Sequence, residues 1–162
     1  MFIRGERKVD MIDKRILMLL AENAEMTSTE IGSAVGLSVP AVNKRIRKLR
    51  QDGAIRQFTV LTDGKQLGKP IAAYILIVAR YGDGIAPLLD ALNADPDVLE
   101  CYAVTGEYDY LLKVCARDVE ALEEKLLRIK RLKGVVRSHT MLALQEHKFT
   151  PAIVPDLEVD EA

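Results

Sequence analysis

The sequence predicts an α+β protein of two domains, an N-terminal (winged) helix-turn-helix domain followed by a C-terminal βαββαβ ferredoxin-like sandwich domain. Three observations predict this class. Apolar residues recur at helical spacing up to residue 53, strand-length apolar runs alternate with two amphipathic helices after residue 70, and the charge divides between the halves. Residues 1–60 carry 11 Lys and Arg against 7 Asp and Glu, whereas residues 61–162 carry 12 against 17. The two halves therefore face different partners.

The first helix is predicted from about Asp10 to Asn23. Asp10 can cap it, and Asp13 lies near the positive end of the helix dipole. Apolar residues at i, i+4 and i+7 give it one buried face, so it serves as the scaffold for the helices that follow.

The window from Thr27 to Gly53 predicts a short helix, a tight turn at Gly36 and a second helix that starts after Ser38. The Ser38 side chain can accept from the free N–H groups of the first turn, where Pro40 is also tolerated, and Gly53 supplies a stop. This order of elements is typical of a helix-turn-helix DNA-binding motif.

Within the second helix, Val42, Ile46 and Leu49 form an apolar stripe at i, i+4 and i+7. The opposite face is basic, because the segment 38–50 carries five Lys and Arg and no acid. A basic helix is often only a solvated face, but the coincident turn favours contact with DNA phosphates. We expect Asn43, Lys44 and Arg47 to enter the major groove, and Arg45 to pair with an acid of the preceding helices. The full set of predicted DNA-binding residues is Ser38, Pro40, Asn43, Lys44, Arg47, Lys48 and Arg50.

After Gly53, residues 54–61 are predicted to be extended, as a small wing or as the start of a linker, and the turn-rich segment 62–70 marks the domain boundary. The second domain is predicted to contain strands over 71–79, 98–105, 108–116 and 135–144 and helices over 85–93 and 118–131. Its first strand, IAAYILIVA, is apolar on both faces, although two helices can cover only one face of the sheet. We therefore expect a homodimer formed through the second face, the alternative cover being the N-terminal domain of the same chain.

The turn from Gly106 to Asp109 is the candidate effector site. Glycine there allows N–H groups to point outward, and an aspartate beside them suits the carboxylate and ammonium of a free amino acid. Glu107 and Tyr108 complete this segment. A plain hairpin turn would have the same composition, so spacing alone leaves both interpretations open.

Other kinds of site lack a sequence signal. Cys101 and Cys115 form no CxxC pair and are expected in strands, and His139 and His147 lie eight residues apart without further metal ligands. No cofactor-binding signature or catalytic motif is present, so we expect neither a cofactor nor an enzyme. No apolar run is long enough to span a membrane and no signal-peptide core is visible, which predicts a cytoplasmic protein without membrane partners.

With both halves considered, the chain resembles the Lrp/AsnC (feast/famine) transcriptional regulators over nearly its whole length. The matching segments are VDMIDKRILMLLAENAEMT, IGSAVGLS, NKRIRKLRQDGAI, VTGEYDYLL and VVRSHTML. The resemblance implies a DNA-binding domain over 1–61, a linker over 62–70 and an effector-sensing and oligomerisation domain over 71–148. The prolines and acids of residues 149–162 predict an acidic tail that is loosely held or disordered. Gly32 departs from the family pattern, which usually has alanine at this position. We expect a close contact between helices here that admits only a small residue. Glycine instead of alanine lowers helix stability by roughly 1 kcal/mol.

The resemblance also implies partners and a function. Family members bind promoter DNA as dimers that assemble further, commonly to octamers, and sense small effectors, often amino acids. It places an effector at the Gly106–Asp109 turn, near a subunit interface. Ser138 and Thr140 are then expected as hydroxyl partners from a neighbouring subunit, the alternative being that they are ordinary strand residues. The expected function is a sequence-specific transcriptional regulator modulated by a small effector. The alternative is an interaction module whose basic helix binds an acidic protein.

Overall fold

The computed structural model describes residues 9–157, which divide into two compact units. The first unit contains residues up to Val60 together with the segment from Lys148 onward, and the second unit contains Leu61–His147. Residues 1–8 and 158–162, the start of the predicted first domain and the end of the predicted acidic tail, lie outside the described residues.

The first unit contains three helices, α1 (Met11–Glu22), α2 (Ser28–Val35) and α3 (Val39–Gln51). The side chain of Asp10 accepts a hydrogen bond from the Asp13 N–H at 2.8 Å, which confirms the predicted cap of α1. The α2 helix begins with a capping box between Thr27 and Glu30, which the T-x-x-E spacing encodes. It ends at Gly36, whose φ of 72° is the left-handed conformation that glycine adopts without strain.

The three helices meet around Ile16, Ile31, Val42 and Leu49, all of them buried. The predicted stripe of α3 is confirmed, since Val42 and Leu49 belong to this core and Ile46 packs against it. The helix-turn-helix arrangement therefore follows from the apolar spacing of each helix.

Two details at the ends of α3 differ from or complete the sequence predictions. Ser38 is the residue before the helix, but its side chain makes no capping hydrogen bond, so the predicted cap is wrong in this respect. Pro40 lies in the first turn and Gly53 has a φ of 81°, as a helix stop requires. Residues 54–61 form no strand within the single chain.

The second unit has the predicted order β1 (Ile71–Ala79), α4 (Ile85–Ala94), β2 (Val98–Ala103), β3 (Tyr110–Ala116), α5 (Val119–Lys130) and β4 (Val135–Ala143). The sheet is antiparallel with strand order β2-β3-β1-β4. β2 ends and β3 begins two residues inside their predicted bounds, because the Val104 N–H donates to the Asp109 carbonyl and closes the turn between them.

One face of this sheet is covered and the other is not. The residues of β1 that face α4 and α5, Ala73, Ile75, Ile77 and Ala79, are buried in the core. The alternate residues share the other face with Met141 of β4 and Tyr102 of β2, which are 44% and 54% exposed. The doubly apolar strand thus leaves apolar residues of β1 on the side that carries no helix, with Lys113, Arg137 and His139 of the neighbouring strands beside them.

A buried lysine of α5 pairs with two aspartates in the short connection between α4 and β2. Lys125 of α5 is 2% exposed and donates to Asp95 at 2.7 Å and 2.9 Å, while Asp97 lies 3.3 Å from the same ammonium group. Lys69 also pairs with Asp97, and this hydrogen bond lowers the pKa of the Asp97 carboxyl. Burial alone would raise the pKa of Asp95, but the hydrogen bond from Lys125 and further partners bring it below its ordinary value.

The segment 148–157 forms neither helix nor strand. Val154 and Leu157 line a cavity of about 420 Å³ in the first unit, together with residues of α1 and α2 that include Met18, Leu19 and Val35. No helix within residues 9–157 has the length and apolar character needed to cross a membrane.

Candidate functional site

The outward face of α3 is the first candidate site. All seven residues predicted to bind DNA are exposed: Ser38, Pro40, Asn43, Lys44, Arg47, Lys48 and Arg50. Their exposure follows from the apolar stripe, because the side of the helix opposite Val42 and Leu49 faces solvent. The structure therefore leaves all seven residues accessible to a partner.

Arg45 does not belong to this face. One guanidinium nitrogen, Nη1, lies 2.7 Å from Asp10 and 2.7 Å from Asp13, and Asp13 is buried. The predicted pairing of Arg45 with a preceding acid is confirmed. These hydrogen bonds raise the pKa of the guanidinium, and the two carboxylates balance its positive charge. The outward face therefore carries the other four of the five positive charges of α3.

Three of the outward residues have partners within the first unit. The Ser28 hydroxyl lies 2.6 Å from Oδ1 of Asn43, and Nε of Arg47 donates to the Asn43 carbonyl at 3.3 Å. The guanidinium of Arg50 lies 5.9 Å from the centroid of the Phe58 ring, in a cation–π contact. Sequence reasoning missed Ser28 and Phe58, because neither contact follows from helical spacing.

The second candidate site is the turn between β2 and β3. Gly106 has a φ of 111°, and Gly106 and Glu107 are exposed. Asp109 is already engaged by its own chain, since its carboxylate accepts from the Ala79 N–H at 2.7 Å and from the Tyr81 hydroxyl at 3.1 Å. The hydrogen bond to this carboxylate raises the pKa of Tyr81. Asp109 therefore fixes the end of β1 as well as the turn.

The other predicted effector residues lie on two faces of the sheet. Tyr108 contacts the uncovered face, with its ring 5.2 Å from the guanidinium of Arg137 and 6.4 Å from the His139 ring. Ser138 pairs in register with Ile77 and Thr140 with Ile75, so both hydroxyls lie on the side that carries the helices. A single chain thus does not bring Ser138 and Thr140 to the side on which Tyr108 lies.

Ser138 has one further property. Its hydroxyl oxygen is buried and has no hydrogen-bond partner among the described residues. A buried hydroxyl without a partner is costly, by about 1–3 kcal/mol, and is uncommon in folded proteins. Among residues 9–157, no group of three or more His, Cys, Asp and Glu is placed to hold a metal ion.

The three-helix unit with an outward basic helix, followed by an antiparallel α+β unit, is the architecture of helix-turn-helix transcriptional regulators that carry a separate ligand-binding domain. Family models match both parts, the AsnC-type helix-turn-helix domain over residues 9–50 and the Lrp/AsnC ligand binding domain over residues 72–153. The chain belongs to the Lrp/AsnC family of transcriptional regulators and not to a family of enzymes.

Relatives match over most of their length. The chain is 34% identical over 142 residues to the HTH-type transcriptional regulator FL11 of Pyrococcus horikoshii, covering 88% of this chain and 93% of that protein. It is 39% identical over 141 residues to the HTH-type transcriptional regulator Rv2324 of Mycobacterium tuberculosis, covering 85% and 93%. Its structure is similar to the regulator NMB0573 of Neisseria meningitidis, solved as a complex with L-Met, with a TM-score of 0.85, 29% identity and coverage of 90% and 96%.

Proposed function

We propose that the protein binds specific DNA sites as a homodimer or a higher assembly such as an octamer, and that a small effector, an amino acid, changes its oligomeric state and DNA occupancy. The observation that carries the DNA part is the acid-free outward face of α3, whose exposed residues include Lys44, Arg47, Lys48 and Arg50. A partner with closely spaced phosphates is the natural complement of four positive charges on one helix.

Within this face we assign two roles. Asn43, Lys44 and Arg47 lie along the middle of α3 and read base edges in the major groove, while Ser38, Lys48 and Arg50 contact phosphates. Pro40 lies in the first turn of α3, next to the major groove in this arrangement. Because a phosphate contact carries no sequence information, the two groups differ in what their removal changes.

The test is a titration of the full chain with its selected DNA site and with random DNA at several salt concentrations. Lys48→Ala should weaken binding to both DNAs alike and reduce the salt slope by about one unit, and Asn43→Ala should relax base preference. Lys65→Ala, at an exposed lysine of the second unit, removes the same charge and should change neither. Equal loss of specific and non-specific affinity in both α3 variants would contradict this assignment of roles. An affinity for DNA that does not depend on salt concentration would contradict phosphate binding and favour an acidic protein as the partner.

The dimer is supported by the uncovered apolar face of the sheet. Tyr74 and Leu76 of β1 and Met141 of β4 share this face, and burying it in a second copy would remove it from water. Two-fold symmetry would then place two α3 helices on half-sites about one DNA turn, or a multiple of it, apart.

Light scattering at micromolar concentration tests this directly. A stable monomer would contradict the dimer. Leu76→Arg should dissociate it, whereas Val119→Arg, at a 65% exposed position of α5, should leave it intact.

The effector is proposed to bind at the turn of Gly106, Glu107, Tyr108 and Asp109, with Ser138 and Thr140 supplied by a neighbouring subunit. The buried, unpaired Ser138 hydroxyl supports a missing partner there, and the L-Met complex of the Neisseria relative supports the amino-acid class. A ligand that prefers one assembly shifts the population towards it, which changes DNA occupancy through linkage.

Calorimetry with each of the twenty amino acids tests this part. Ser138→Ala and Asp109→Ala should weaken binding, and Ser33→Ala, at an exposed serine of the first unit, should not. Asp109 also accepts a hydrogen bond from the Ala79 N–H, so a loss of binding in Asp109→Ala could reflect a change in the fold. The decisive outcome is the opposite one: binding that survives Asp109→Ala undiminished would remove this residue from the site.

A further inference from the structure

A side-chain contact between α2 and α3 lies within the proposed DNA-binding surface. Ser28 is the first residue of α2, and its hydroxyl is 2.6 Å from Oδ1 of Asn43. The two residues are fifteen positions apart, so only the fold brings them together. Asn43 is otherwise exposed on the outward face of α3.

The chemistry of this contact determines which end of the amide is free. A carboxamide oxygen can only accept, so the Ser28 hydroxyl donates its single proton to Oδ1. The Asn43 NH₂ group, which carries two donors, is then the end that is left to donate to a partner. Without the serine, the terminal torsion of an asparagine is broad and roughly two-fold, and either end could face outward.

The serine is itself held in place. The carboxylate of Glu30 accepts from both the N–H and the hydroxyl of Thr27 at 2.7 Å, and the Glu30 N–H donates back to the Thr27 hydroxyl at 3.3 Å. Ser28 follows Thr27 directly, so this reciprocal capping box fixes its backbone at the start of α2. The hydroxyl therefore has a defined position from which to orient Asn43.

We infer that Ser28 is a specificity-determining positioning residue that makes Asn43 a hydrogen-bond donor towards DNA and selects guanine. In the major groove guanine presents two acceptors, N7 and O6, whereas adenine presents one acceptor and one amino donor. Asparagine normally reads adenine with both ends of its amide, but here the oxygen is engaged by Ser28. The inference rests on the proposed DNA-binding function and adds the base that this position prefers.

The experiment uses the full chain and its best site selected from randomised duplexes. The base pair read by Asn43 is the one whose preference disappears in Asn43→Ala. At that pair, the wild-type protein should prefer guanine over adenine by about five- to 100-fold, the range of one good base contact. Replacing the guanine by 7-deazaguanine, which lacks the N7 acceptor, should weaken binding to this site, because the Asn43 NH₂ group loses one of the two acceptors offered to it.

Ser28→Ala should bring the guanine-to-adenine ratio towards one while affinity for random DNA stays unchanged, and Ser28→Thr should restore it. The matched control is Ser33→Ala, in the same helix, whose hydroxyl donates only to the carbonyl of Thr29 at 3.0 Å. In an Asn43→Ala background, Ser28→Ala should have no further effect on base preference, since the two residues act through one contact.

The outcomes separate the inference from the function on which it rests. A wild-type protein without preference for any DNA site would overturn the proposed function. Specific binding in which Asn43→Ala relaxes one base pair, while Ser28→Ala leaves that preference intact, would overturn the role of Ser28 alone. Undiminished binding to the 7-deazaguanine site would overturn the donation from Asn43 to N7. Where the Ser28→Ala protein folds poorly, a wild-type protein that prefers adenine over guanine at this pair would still overturn the inference.

Discussion

Replacing Gly32, a buried residue of α2, by alanine would have two opposing effects on the free energy of unfolding. Alanine favours a helix over glycine by about 1 kcal/mol, so propensity alone would predict a more stable protein. The structure predicts the reverse. A β-carbon at Gly32 would lie 2.5 Å from the carbonyl oxygen of Leu37, and the Leu37 N–H is itself hydrogen-bonded to the Gly32 carbonyl at 2.9 Å.

The neighbour that would have to move is backbone in the turn between α2 and α3, not the end of a flexible side chain. Forcing an additional methyl group into a packed interior costs about 1–3 kcal/mol, and the tied backbone places this site in the upper part of that range. Subtracting the propensity gain leaves an expected net loss of about 1–2 kcal/mol in the free energy of unfolding. The sequence-based expectation that only a small residue fits here is confirmed, and the contact favours glycine itself.

Urea unfolding of the full chain by circular dichroism measures the net change, and hydrogen exchange of the α2 and α3 amides assigns it to the first unit. Ala34→Gly, at an exposed position of the same helix, is the matched control and should lose about 1 kcal/mol through propensity alone. A Gly32→Ala protein that is more stable by about 1 kcal/mol would refute the steric reasoning.

Three further predictions concern the ion pairs. Arg45→Ala leaves the buried Asp13 carboxylate without its partner and should lower the free energy of unfolding by about 1–3 kcal/mol in a denaturant titration. Lys125→Met removes the ammonium group shared by Asp95 and Asp97 and should cost about 2–4 kcal/mol, read from thermal unfolding. The pKa values of Asp95 and Asp97 are lowered in the folded state, so the stability that they contribute is present above about pH 4. It is lost as the pH falls through the folded-state pKa values. Asp97→Asn should therefore flatten the loss of stability at acidic pH, measured as melting temperature over a series of pH values.

Matched controls exist for these variants. Arg47→Ala and Lys130→Met change exposed cations on the same two helices and should shift stability by less than about 0.5 kcal/mol. An Arg45 or Lys125 variant no less stable than its control would show that the pair contributes nothing net. An acid-side decline as steep in Asp97→Asn as in the wild type would assign the pH dependence to other groups.

The helices and strands could be predicted closely because their signals are local. Asp10 at the start of α1, Gly36 in the turn and the stripe of Val42 and Leu49 each depend on residues within a few positions. The antiparallel sheet followed from the order of its elements. These are the features for which periodicity and capping chemistry suffice.

The predictions that failed or were missing depend on distant residues. Nothing near Ser38 in the chain shows that its hydroxyl would leave the helix uncapped, and the contact of Ser28 with Asn43 requires the packing of α2 on α3. Ser138 and Thr140 could be placed on a strand from the sequence, but their position on the helix-covered side depends on the pairing register with β1. Register is set by the whole sheet, not by the strand alone.

The return of residues 148–157 to the first unit has a consequence for protein engineering. The unit that contains α1–α3 is encoded by two separate stretches of the gene, and the second stretch supplies Val154 and Leu157 to its cavity. A chimaera that exchanges only the first sixty residues with a relative would join a new α1 and α2 to an unmatched C-terminal segment. DNA specificity could therefore be changed with less effect on the packing of this unit by exchanging both stretches together, or by exchanging only the outward residues of α3.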